Sequence, residues 1–258
     1  MPFVTSADGT RIVFDRQGSG PVVVLVTGAL DDGSENAPLA TELAPQLTVL
    51  NYARRGRGSS GDTQPYAVDR EIEDIDALIA AAAGSAHVYG VSSGGALALR
   101  AAAAGLPITR LAVYEVPYFT EEDELQRWAA YVEELGRVIA EGRSGVPLEL
   151  FHRLTGFSDD DIAASRASPH WAAAEALERT LAYDAVVLGD GEPPIDQLGT
   201  ITQPTLVVTG GQAGFIEPAA DAIAASVPDG HRLTLDGQSH VVDPTAMAPV
   251  LGRFFLGE

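Results

Sequence analysis

Cysteine and lysine are both absent from the chain. Without cysteine there is no disulfide, no thiolate metal site and no thiol nucleophile. Without lysine, Schiff-base and Ser–Lys chemistry fall away as well. Positive charge is scarce overall: 16 arginines face 36 acidic residues, for a formal charge of −20. Such a balance argues against nucleic acid or an anionic membrane as partner and fits a solubilising surface. Long apolar runs are missing too; stretches such as "PVVVLVTGAL" fall short of the roughly 20 residues a membrane span needs. The start, "MPFVTSADGT", has neither a basic segment nor an apolar core, so no signal peptide is expected and the location expected is cytoplasmic. No Pro/Gly/Ser-rich linker and no internal repeat divides the 258 residues.

What is present alternates. Two short strands are expected in "FVTSADG" and "TRIVFDRQG", then a fully apolar strand in "PVVVLVTG". Helix "ENAPLATELAPQ", strand "LTVLNYARR", helix "VDREIEDIDALIAAAAG", strand "SAHVYGVS", helix "GGALALRAAAAG" and strand "ITRLAVYEVP" follow. Residues 118–196 break the rhythm with helical patterns, the last a single long one in "HWAAAEALERTLAYDAVVLG". The alternation resumes with "PTLVVTGG", "PAADAIAASV", "HRLTLDG" and "PTAMAPVLGRFFLG". The fold expected is α/β: a mostly parallel, doubly wound sheet built from 1–117 and 197–258, with 118–196 as a helical cap insertion.

Gly90-Val91-Ser92-Ser93-Gly94 fits G-x-S-x-G at a strand-to-helix junction. Small flanking residues let the chain turn sharply enough to leave the central hydroxyl free, which makes Ser92 the candidate nucleophile. Ser93 would then offer its backbone N–H to an oxyanion hole. The second donor is expected in "VTGALDDGS", from Ala29 N–H, with Gly28 making room. Five histidines compete for the role of base. His87 lies inside a strand, His152 and His170 in the insertion, and His231 at a strand start. His240, in "LDGQSHVVDP", follows the last strand, where this architecture places its base. Asp243-Pro244 reads as a helix N-cap with proline at the first position.

On "VTGA", "YARRGRGSS", "GVSSGG", "PTLVVTGG" and "GQSH" the chain resembles the α/β-hydrolase superfamily over essentially its whole length. The resemblance implies a Ser-His-acid hydrolase with a cap and no cofactor or metal. Ala53 stands where the family usually has an aspartate before Arg-Gly, and the arginine-rich loop reads as structural. The family's acid usually follows the strand "PTLVVTGG", yet 210–216 holds no carboxylate. Some subfamilies carry it one strand earlier, and there stands Glu115, in "LAVYEVPY". Zearalenone-type lactone hydrolases are locally similar in both the elbow and this strand end. Glu217 (before Pro218, as a helix cap), Asp184 (in a solvated or capping role) and Asp243 remain as alternatives. Leu30, His170 and Trp171 are candidates for lining a substrate pocket, with a packed core as the other reading of the tryptophan.

The resulting expectation is a serine hydrolase of small-molecule esters or lactones using Ser92, His240 and Glu115, as monomer or homodimer. C–C bond hydrolysis or perhydrolysis on the same triad, or a receptor-like binding module, are the rival readings.

Overall fold

A computed structural model describes residues 1–82 and 84–258. The described residues build an eight-stranded sheet in the order β1-β2-β4-β3-β5-β6-β7-β8. Its strands are β1 Phe3–Thr5, β2 Arg11–Gln17, β3 Val22–Val26, β4 Thr48–Tyr52, β5 Ala86–Val91, β6 Ile108–Tyr114, β7 Thr205–Gly211 and β8 Gly230–Gln238. The pairs β1–β2 and β2–β4 are antiparallel, and every later pair is parallel. The order reverses around β3, so β3 and β5 lie side by side and their carboxyl ends open one crevice. Val23, Val24, Leu25 and Val26 are all fully buried, as a strand covered on both faces requires.

Helices α1 Ala37–Leu43 and α11 Pro244–Leu256 pack with Val23, Leu25 and Val49 on one face. Helices α2 Val68–Ala81 and α3 Ser93–Ala103 join Val24, Val26 and Val88 on the other. The apolar spacing of Ile75, Leu78 and Ile79 turns one stripe of α2 into this core. The helical pattern expected to run through residue 84 includes Ala83, which lies outside the described residues.

Between β6 and β7 the chain forms α4 Glu122–Ala140, α5 Val146–Leu154, α6 Asp159–Arg166, α7 Trp171–Glu175, α8 Leu181–Leu188 and α9 Ile195–Leu198. One long helix was expected over the α7–α8 stretch; a 3-10 turn, Glu178–Thr180, divides it. The break is fixed by Glu178, whose buried carboxylate takes the N–H of Gly145 at the head of α5 at 2.9 and 3.0 Å. The short α9, set after Pro193 and Pro194, was not expected at all. Helix α10 Ile216–Ser226 completes the set after β7. No helix is long and apolar enough to cross a membrane among the described residues.

Candidate active site

Strand β5 ends at Val91 and α3 begins at Ser93, leaving Ser92 alone in the turn at φ 55°, ψ −130°. An L-residue held there is strained by about 1–3 kcal/mol, and the surroundings must enforce it. They do so by close packing. A Cβ on Gly94 would lie 2.3 Å from the Thr27 carbonyl oxygen, and one on Gly90 2.5 Å from that of Gly94. The two glycines therefore let β3, β5 and α3 approach until the turn has one shape. Ser92 N–H donates to the Tyr114 carbonyl at 2.9 Å, tying the turn to β6. The hydroxyl is left partly exposed and bonds to none of the other described residues.

Glu115 follows β6 directly, at φ 46°. Its side chain is 1% exposed, a costly place for a carboxylate without partners. Two are supplied: Gly210 N–H donates to Oε1 at 2.9 Å, and His240 Nδ1 lies 2.8 Å from Oε2. With the carboxylate ionised, Nδ1 carries the proton of that bond, and Nε2 is left as the basic nitrogen. His240 is 48% exposed, so the carboxylate is sealed while the imidazole faces out. Tyr114 steadies the histidine loop from below, its hydroxyl donating to the Ser239 carbonyl at 2.6 Å. Sequence reasoning missed Tyr114. Its signal was a tyrosine inside an apolar strand, whose hydroxyl must find a partner when buried.

The loop after β3 lies against Ser92. A Cβ on Gly28 would stand 3.0 Å from Ser92 Cβ and 3.6 Å from its Oγ. Ala29 N–H donates to none of the other described residues, and Ser93 N–H opens the first turn of α3, where such groups lack helical partners. Leu30, at φ 59°, carries the loop onward and packs on the core.

Beneath this loop sit three arginines, Arg54, Arg55 and Arg57, each at most 1% exposed. Arg54 grips Glu71 through two 2.7 Å bonds and reaches Asp184 at 2.7 Å. Arg57 donates to both oxygens of Asp184 at 2.8 Å, and also to the Gly28 carbonyl. Arg55 pairs separately with Asp74 and Asp8. Burial by itself would raise the Asp184 carboxyl; the charges of Arg57 and Arg54 outweigh it and hold the group below the ordinary carboxylate value. Glu71 is depressed likewise, Arg54 overcoming the cost of burial. The structural reading of the arginine loop thus describes what is found, with a full set of buried counter-charges.

Several expectations need correction. Asp184 is neither solvated nor a cap; it is buried because two arginines require its charge. Glu217 lies inside α10, whose N-cap is Phe215, and pairs with Arg232. Ser93 contributes more than a backbone: its hydroxyl donates to Asp184 at 2.8 Å. His170 is exposed at the head of α7, and Trp171 meets the ring of His152 and the guanidinium of Arg166. Asp243 caps α11 as expected, accepting from Thr245 N–H at 2.8 Å. Among the described residues, no group of three or more His, Asp or Glu side chains is arranged to hold a metal ion.

Known proteins resemble this chain in sequence and fold. An alpha/beta hydrolase from Sphaerobacter thermophilus is 46% identical, superposes with a TM-score of 0.89, and aligns over 98% of this chain and 100% of its own. A pimeloyl-[acyl-carrier protein] methyl ester esterase of Xanthomonas campestris is 32% identical over 93% of this chain and 92% of its own length. An N-formylmaleamate deformylase of Pseudomonas putida is 30% identical over 92% and 88%. The model of the alpha/beta hydrolase family matches residues 23–250. With the strand order, the elbow at Ser92 and these relatives in agreement, the chain belongs to the alpha/beta hydrolase family and is one of its enzymes.

Proposed function

We propose that this enzyme hydrolyses a small-molecule carboxylic ester or lactone through Ser92, His240 and Glu115. The observation that carries the reading is the 2.8 Å contact of His240 Nδ1 with a sealed carboxylate, beside a serine held in a strained turn. In this reading the Ser92 Oγ attacks the carbonyl carbon while its proton passes to His240 Nε2. The oxygen that gains negative charge is received by Ala29 N–H and Ser93 N–H. As the C–O bond breaks, His240 returns the proton to the departing alkoxide, and an acyl group remains on Ser92. Water then gives a proton to His240 and attacks the acyl carbon; the tetrahedral adduct collapses as His240 returns that proton to the Ser92 Oγ, which frees the acid and restores the hydroxyl. Glu115 keeps the imidazole in the tautomer that accepts at Nε2. Leu30 belongs to the loop beside the acyl group, and the helices between β6 and β7 act as a cap over the crevice. The methyl ester esterase among the relatives supports an ester as substrate class.

The test is a panel of short-chain esters and macrocyclic lactones, run with wild type and Ser92→Ala. Ser92→Ala is expected to lose about 10⁴–10⁶-fold in kcat. Ser93→Ala keeps its N–H and should lose far less. A fluorophosphonate that labels Ser93 and spares Ser92 would refute the assignment, as would a wild type inert toward the whole panel.

A further inference from the structure

One buried carboxylate is bonded to both segments that border the nucleophile. Asp184 Oδ1 accepts from Ser93 Oγ at 2.8 Å and from Arg54 Nη1 at 2.7 Å. Both its oxygens accept from Arg57 Nη2 at 2.8 Å, while Arg57 Nη1 donates to the Gly28 carbonyl and, at 3.4 Å, to that of Asp31. Gly28 C=O and Ala29 N–H belong to one planar trans peptide unit, in which the two bonds point in opposite directions. Fixing the carbonyl on the arginine side therefore fixes the N–H on the opposite side. A cationic donor on that carbonyl also polarises the unit and makes its N–H a stronger donor.

Resting on the hydrolase reading above, we propose that Arg57, clamped by Asp184 of α8, is a positioning residue that sets the direction of the Ala29 N–H in the oxyanion hole. Because α8 lies between β6 and β7, the clamp ties that segment to the loop that carries Ala29. A stability role by itself would not need this pattern. Arg55, from the same loop and equally buried, pairs with Asp74 and Asp8 and makes no bond to Gly28 or Asp184.

The charges allow a clean separation of folding from catalysis. Arg54, Arg57, Glu71 and Asp184 sum to zero, so removing Arg57 and Asp184 together leaves the neutral Arg54–Glu71 pair. Exchanging a buried ion pair for apolar residues of similar volume is often neutral for stability. The double variant Arg57→Met/Asp184→Leu is thus expected to recover much of the Tm lost in Asp184→Leu alone, without recovering activity. With the best ester from the panel, it should lose about 10²-fold in kcat with KM within about threefold of wild type. The inhibition constant of a trifluoromethyl ketone, which binds Ser92 as a tetrahedral oxyanion, should weaken by a similar factor. Arg57→Lys, a compact ammonium that cannot span Gly28 and both Asp184 oxygens, should show the same split in milder form.

A double variant with restored Tm and near-wild-type kcat overturns the proposal, as does a loss confined to KM. If neither the double variant nor Arg57→Lys folds, the clamp is a folding element and the proposal also fails. Failure of the parent reading would look different: the wild type itself would turn over no ester, and Ser92 would resist the fluorophosphonate.

Discussion

Glu115 combines three properties that a structural carboxylate rarely holds together: near-total burial, a positive φ, and one oxygen committed to an imidazole. Gly210 N–H occupies its other oxygen, so the carboxylate cannot turn away from His240. Changing Glu115 to Gln keeps the shape but puts an amide beside Nδ1, where the NH₂ end favours the wrong tautomer. A kcat loss of about 10³–10⁴-fold is expected, with little change in fold. Glu217→Gln, which meets Arg232 at the surface of α10, should cost less than about tenfold. Near-wild-type activity of Glu115→Gln would remove the carboxylate from the reaction. At this scale the sequence was readable where an absence could be counted. The segment 210–216 has no acid, and a carboxylate ending an apolar strand needs a reason. Asp184 was not readable, because its meaning lies in Arg57, 127 residues away, and no spacing rule links α8 to the loop after β4.

Strand β6 carries the site as an element. Its last residue, Tyr114, takes Ser92 N–H on its carbonyl and sends its hydroxyl to Ser239, so one residue binds the elbow and the histidine loop. Tyr114→Phe removes only the second link. Losing this bond should cost about 0.5–1.5 kcal/mol in stability. The His240 loop should loosen as well, lowering kcat several-fold while the Ser92 labelling rate falls in step. A loss of stability with unchanged kcat would show that the loop holds its place without the tyrosine. The strands themselves were plain in the sequence, since apolar runs between glycines have few other uses in a parallel sheet. The α7–α8 stretch was not, because an alanine-rich run with no proline or glycine reads as one helix. What breaks it is Glu178, which bonds the backbone of a different helix. For α9, four helical residues are too few to show a period.

For the molecule as a whole, the charge of −20 lies mainly on the surface, but acid stability is set by the few groups inside. His87 of β5 is one of them. It stacks on Phe255 of α11 with ring centroids 4.8 Å apart and meets Thr109 Oγ1 at 2.8 Å. Burial, with a smaller contribution from the charge of Arg110, lowers its pKa to about 4, from 6.5 for a free imidazole. The folded protein therefore holds fewer protons on this residue than the unfolded chain between those values. Stability rises with pH wherever the unfolded state binds more protons. The His87 contribution is thus complete above pH 6.5 and is lost as pH falls from 6.5 toward 4, on the order of 3 kcal/mol at most. Glu71 and Asp184, held below the ordinary carboxylate value, act at lower pH, their stabilisation disappearing as pH falls through their depressed pKa values. Asp31, Glu35 and Asp74, all raised chiefly by burial, have the opposite sign and gain stability on acidification. Those carboxylates are common to wild type and His87→Gln, so the difference between the two isolates the histidine. Urea unfolding at pH 7.0, 5.5 and 4.5 (about the span of the histidine window) should show a steeper decline for wild type than for His87→Gln. Parallel declines would mean that His87 is protonated as readily in the folded protein as in the unfolded chain, and that its packing against Phe255 imposes no cost on the charge.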